Sequence, residues 1–179
     1  MRVVVLVHPG SLFASGAAQV DPETHASVVE GVTIDIGSAD GLLVIDGFLS
    51  DAVPADFELL LADSFAAAEE RGHPGLRLWG CDAGEAPWPG WAPRGQGAGP
   101  VHADQAAAAR AAAPLLADAS AIVVTGAWAT RDGSSGCVNA VADALRDSLG
   151  GTVPVLVSAS ALCEEMMLDA FDDDDGIAP

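Results

Sequence analysis

The chain contains no lysine and no tyrosine, and its seven basic side chains, all arginines, face 26 acidic ones. The formal net charge is −19. A surface of that sign repels phosphate backbones, and no basic stripe runs along the chain, so no nucleic-acid partner is expected. Cysteine is scarce: Cys81, Cys137 and Cys163 are three in number and show no CxxC spacing. That excludes a disulfide scaffold and a zinc ribbon, and it suits a reducing cytoplasm. The four histidines, His8, His25, His73 and His102, lack HxH or HxxxH spacing and read as structural, so neither a metal nor a cofactor is expected. No stretch approaches the roughly 20 apolar residues of a bilayer span, which excludes a membrane-spanning role. The apolar run before His8 is also shorter than a signal-peptide core and reads as a first strand.

What is present is enough for one core. The chain has 179 residues, half of them hydrophobic, with a mean hydropathy of +0.34. The expectation is a single α/β domain over residues 1–168, followed by an acidic, disordered tail over 169–179. The acidic excess and missing lysine suit a halophilic protein kept soluble in concentrated salt; an alanine-rich chain whose charge has drifted would look the same.

Five short apolar runs recur: VVVLV before His8, LLVI before Asp46, LRLW at Leu76 to Trp79, AIVV at Ala121 to Val124, and VPVLVS ending at Ser158. Each is continuous, as strands covered on both faces must be. Helical patterns lie between them. In PADFELLLADSFAAAEERG, residues Phe57, Leu60, Leu61, Phe65 and Ala68 share a face, with Pro54 at the first turn and Gly72 at the stop. Asp21 to Val32 is predicted helical, and ADQAAAARAAAPLLADA is helical with a break at Pro114. CVNAVADALRDSL is capped by Ser134 or Ser135 and ended by Gly150, and a last helix starts near Ser160. Alternating strands and helices predict a three-layer, Rossmann-like α/β fold, with a mainly parallel sheet of about five strands and helices on both faces. Residues 81–100, rich in glycine and proline, read as a long loop pinned by Trp88 and Trp91.

In such a sheet ligands bind at the carboxyl ends of the strands. His8, Asp46, Cys81, Thr125, Trp128, Arg131, Ser158 and Cys163 all fall there by position. Cys137 opens a predicted helix directly after a glycine, where unpaired backbone N–H groups and the positive end of the dipole favour a thiolate and can hold an oxyanion. Asp46, ending a buried strand, is placed to move a proton.

ADGLLVIDGFLSD, with its apolar run closing on Ile-Asp, and AIVVTGAWATRDGSSGCVNAVADAL, with its strand, glycine turn and cysteine-led helix, resemble the isochorismatase-like cysteine hydrolases. The resemblance spans roughly Ala39 to Cys163. It implies a hydrolase of a small amide or an ester, with Asp46 and Cys137 as catalytic residues and Trp128 and Arg131 as substrate contacts. The family's triad also includes a lysine, which this chain lacks; Arg94, Arg110 and Arg131 are the cations considered in its place. Two other readings remain at this stage. One is a non-catalytic α/β binding or assembly protein, for which a homo-oligomer is possible. The other is a flavodoxin-like FMN protein, in which HPGSLFASGAA would form a phosphate-cradling loop.

Overall fold

A computed structural model of the chain describes residues 1–47, 49–80 and 101–168. Strands β1 (Arg2–Val7), β2 (Gly41–Asp46), β3 (Gly75–Gly80), β4 (Val101–His102), β5 (Ala121–Ala129) and β6 (Val155–Val157) form one sheet in the order β4-β3-β2-β1-β5-β6. Every neighbouring pair is parallel. A short seventh strand, β7 (Leu162–Cys163), pairs with the far end of β5. The expected three-layer α/β class is what the chain adopts. The sheet is wider than five strands because β4 and β7, each two residues long, offer no periodicity to read.

Side-chain alternation along the strands divides the core into two layers. Val4, Leu6, Leu42, Val44 and Val123 meet helices α1 (Pro9–Gln19), α2 (Pro22–Gly37) and α3 (Ala55–Glu70) through Leu12, Val28, Val32, Phe57 and Leu61. Val3, Val5, Leu43, Ile45, Ile122 and Val124 meet α4 (Gln105–Ala112) and α5 (Cys137–Leu149) on the other face. Both faces of β1 and β2 are covered, which is why these strands are apolar without a break.

Local chemistry sets the helix ends. Asp21 accepts hydrogen bonds from the Glu23 and Thr24 N–H groups and caps α2, while Asp104 caps α4 through the Ala107 N–H. Pro114 breaks the alanine-rich segment, and a 3₁₀ turn over Ala113–Leu116 follows.

Three expectations are corrected. HPGSLFASGAA is not a loop: α1 starts at Pro9, and Gly10 lies so close beneath the Leu49 carbonyl that any side chain there would collide with it. No glycine cradle is left open for a phosphate in that segment. Neither serine caps α5; its N-cap is Gly136, and Ser134 instead donates from both its N–H and its hydroxyl to Asp132. The helix expected from Ser160 is an extended segment with a 3₁₀ turn at Glu164–Met166. Its residues alternate between layers: Ala161 and Cys163 join the α4–α5 side, and Leu162 the α1–α3 side. Only an extended chain buries three successive residues in that way.

Candidate active site at the carboxyl edge of the sheet

The chain leaves β1 toward β2 on one side and later returns to lay β5 on the other. The carboxyl ends of β1 and β5 therefore flank the topological switch point, where open α/β sheets bind ligands. Asp46, His8 and Cys137 lie at or near this edge, and Arg77 lies within β3.

Asp46 closes β2 with no exposed surface. Its Oδ1 accepts from the Gly47 N–H at 3.0 Å, and its Oδ2 has no hydrogen-bond partner, the Arg77 Nε standing 3.7 Å away. Burial pushes its carboxyl up to about 6, against the pull of the Arg77 guanidinium. Arg77 sits on β3 beside Val44 and reaches Glu58 of α3, binding both carboxylate oxygens at 3.0 Å. Asp46, Arg77 and Glu58 thus form one network on the α1–α3 face. Arg77 was not among the cations weighed from sequence. Arg110 instead lies exposed on α4 beside Asp104, and Arg131 lies beyond β5. The missed signal was a lone arginine inside the apolar run LRLW.

His8 joins β1 to α1 in the left-handed region, φ 47 and ψ 59, and is the one residue other than glycine with a positive φ among those described. A strand that turns into a helix within one residue demands that conformation, which histidine tolerates better than a β-branched side chain. A Cβ added to Gly47 would lie 3.2 Å from the ring Cδ2, so the ring sits over the chain that leaves β2. The Nε2 meets the Gly80 carbonyl at 3.2 Å. A carbonyl only accepts, so Nε2 carries the proton of the neutral ring and Nδ1 is its basic nitrogen. Burial lowers the imidazole's pKa below its usual value, and the Gly80 contact opposes this only in part.

Cys137 opens α5, half-buried against the α4–α5 layer. Gly136 before it has φ 95, and a Cβ there would come within 2.5 Å of the Trp128 carbonyl, so only glycine lets α5 start so close to β5. Cys137 is not among the partners of Asp46, which are Gly47, Arg77, Glu58 and Asp51. The two residues chosen from sequence stand against opposite faces; His8 follows β1, whose neighbour β5 leads on to the helix that Cys137 opens. Trp128 is half-buried and packs toward the α1–α3 layer, and the Ala127–Trp128 peptide is cis. Arg131 is exposed and lines a cleft beyond β5. Cys163 is buried and donates to the Ala161 carbonyl, and burial raises its thiol pKa. Cys81, Trp88, Trp91 and Arg94 lie outside the described residues, as does the tail from 169 onward. Among the described residues no cluster of three or more His, Cys, Asp and Glu is arranged to hold a metal, and no helix is long and apolar enough to cross a membrane.

No family model, curated protein or solved structure matches the chain. The reading of function therefore rests on its own residues.

Proposed function

We propose that this chain is a cysteine-dependent hydrolase of a small amide or ester, with Cys137 as nucleophile and His8, in place of Asp46, as its base. The observation that carries the reading is His8: a neutral imidazole held in one tautomer by the Gly80 carbonyl, so that Nδ1 is its basic nitrogen, at the end of β1 and next to the strand that leads to Cys137. Nδ1 takes the thiol proton, and the thiolate attacks the substrate carbonyl carbon. The backbone N–H groups of the first turn of α5 hold the oxyanion. The imidazolium then gives its proton to the leaving amine or alkoxide, and water, deprotonated by Nδ1, cleaves the thioester. A Cys–His pair of this kind needs no lysine, and it departs from the triad of the hydrolases the sequence resembles at the aspartate as well as at the lysine. Asp46 then serves the other face, bound to Arg77.

The test is the alkylation rate of Cys137 against pH by iodoacetamide, read by mass spectrometry on the folded protein. Asparagine tolerates the left-handed region, so His8→Asn keeps the turn and deletes the base. The wild-type protein should show a reactive thiol well below the free-cysteine range, His8→Asn should return the profile to that of a free thiol, and Asp46→Asn should leave it where it was. A profile that ignores His8 and follows Asp46 refutes this assignment, and a thiol inert in all three proteins refutes the hydrolase reading altogether.

A further inference from the structure

Residues 130–136 carry the chain from β5 to α5, and Thr130 closes this stretch from its first position. Its N–H donates to Asn139 Oδ1 at 2.8 Å. Its hydroxyl donates to the Ser135 carbonyl and accepts from the Ser135 N–H, each at 3.1 Å, and its carbonyl accepts the Gly133 N–H at 3.1 Å. Ser135 stands two positions before Cys137 and Asn139 two positions after it. One residue at the exit of β5 thus grips the chain on both sides of the cysteine. The outer part of the loop is shaped by other bonds: Asp132 accepts from the N–H and hydroxyl of Ser134, and the Glu165 carboxylate accepts the Arg131 N–H.

The way the start of α5 is held suits a nucleophile there. Helices α2 and α4 are capped by the Asp21 and Asp104 carboxylates, which accept N–H groups of the first turn. A carboxylate cap on α5 would occupy the donors that an oxyanion needs and set a negative charge beside a thiolate. The N-cap of α5 is Gly136, which has no side chain. The bonds that fix its start run between Thr130, the Ser135 backbone and the Asn139 side chain, and none of them uses a backbone N–H of α5. Asn139 is buried, so removing either partner of its bond to Thr130 leaves a polar group shielded from water without its counterpart. The start of α5 is therefore fixed without adding a charge and without spending its donors.

We propose that Thr130 is a positioning residue for Cys137, holding the thiol and the first-turn N–H groups of α5 in one geometry through Ser135 on one side and Asn139 on the other. The inference rests on the hydrolase reading and deepens it. In that reaction the sulfur must meet the carbonyl carbon while the N–H groups meet its oxygen, and a misplacement of about 1 Å costs about a hundredfold in rate. The place of the sulfur at the positive end of α5 also sets its thiolate fraction, which makes alkylation a direct reading of its position. Thr130 touches neither the substrate nor the reacting atoms; it acts through the chain on either side of them.

The experiment compares the wild type with Thr130→Val, Thr130→Ser and Asn139→Leu by the pH profile of Cys137 alkylation with iodoacetamide, and follows the urea unfolding of each protein in parallel. Valine keeps the shape and the N–H of threonine and loses the hydroxyl, serine keeps every bond, and leucine removes the acceptor while filling the buried space. Thr130→Val and Asn139→Leu should alkylate about tenfold more slowly at pH 7, with profiles moved toward that of a free thiol, and Thr130→Ser should stay within about twofold of the wild type. Lowered urea midpoints with an unmoved alkylation profile would show a bond that serves stability alone and would overturn the proposal, as would a serine variant as slow as the valine one. A wild-type thiol that titrates as free cysteine fails the hydrolase reading and the positioning role with it. An activated wild-type thiol that ignores Thr130 and Asn139 fails the positioning role alone. An activated thiol that responds to Thr130 and ignores His8→Asn upholds the positioning role and removes His8 as the base.

Discussion

Replacing Asp46 with asparagine should stabilise the protein, and by an amount that grows with pH. The carboxyl is buried completely, and its pKa stands at about 6 in the folded chain against an ordinary 3.8. Where the folded state holds its proton and the unfolded state has released it, stability falls as pH rises. The contribution of a raised carboxyl is therefore fully present below 3.8, declines through the interval up to about 6, and is gone above it. At about 1.4 kcal/mol per pH unit, the raised pKa of Asp46 costs the folded state about 3 kcal/mol at pH 8 and about 1.5 kcal/mol at pH 5, relative to a carboxyl whose pKa folding leaves unchanged. Asparagine has no charge to desolvate. Its Oδ1 keeps the Gly47 N–H bond, and Arg77 keeps its double bond to Glu58.

The assay is urea unfolding of the wild type and Asp46→Asn between pH 5 and pH 8, above the pI of about 4.1, near which the protein loses its charge. An amide beside Arg77 adds an offset independent of pH, so the test is the shape of the difference curve. The gap in favour of the variant should widen by about 1.5 kcal/mol across the range, equivalent to about 3–6 °C in Tm for a chain of this length. His8 titrates in the opposite sense: its lowered pKa gives stability that is present above about 6.5 and lost as pH falls, but it is common to both proteins and cancels in the difference. Parallel curves, or a gap that narrows as pH rises, would show that Asp46 is ionised without penalty and would refute the reasoning. A widening gap identifies a carboxyl that the fold keeps at a net loss of stability, as groups retained for function commonly are.

Arg77→Met should push the Asp46 pKa above its present value of about 6, because the guanidinium is the main group pulling it down; ¹³C detection of the Asp46 carboxyl across pH reads the midpoint directly. Gly136→Ala should cost at least about 2 kcal/mol in chemical unfolding, since a Cβ at φ 95 meets both an unfavourable backbone region and the Trp128 carbonyl, and it should also slow Cys137 alkylation by displacing the start of α5.

The fold was legible because the physics that forms it is local. A strand covered on both sides must be apolar throughout, and VVVLV, LLVI and AIVV say so without reference to anything distant. Asp21 and Gly150 mark helix ends for equally local reasons. The site was legible only in outline. Asp46 and Cys137 are both at the carboxyl edge, as their positions after apolar runs implied, yet which face each one takes depends on alternation counted through the sheet, and Ile45 and Val44 lead to opposite layers one residue apart. Arg77 meets Asp46 through the register of β3 on β2, which no spacing within either strand reveals. His8 was read as structural because its importance lies in a backbone angle and not in its neighbours in sequence. A histidine in a left-handed turn, held by one nitrogen on the Gly80 carbonyl, is a conformation that only the assembled edge of β1, β2 and β3 creates. The same holds for Asn139, an ordinary polar residue in an amphipathic helix until the Thr130 N–H claims its oxygen. In each case the setting of the side chain is decided by partners nine, 31 or 72 residues away, a separation that no local pattern in the sequence records.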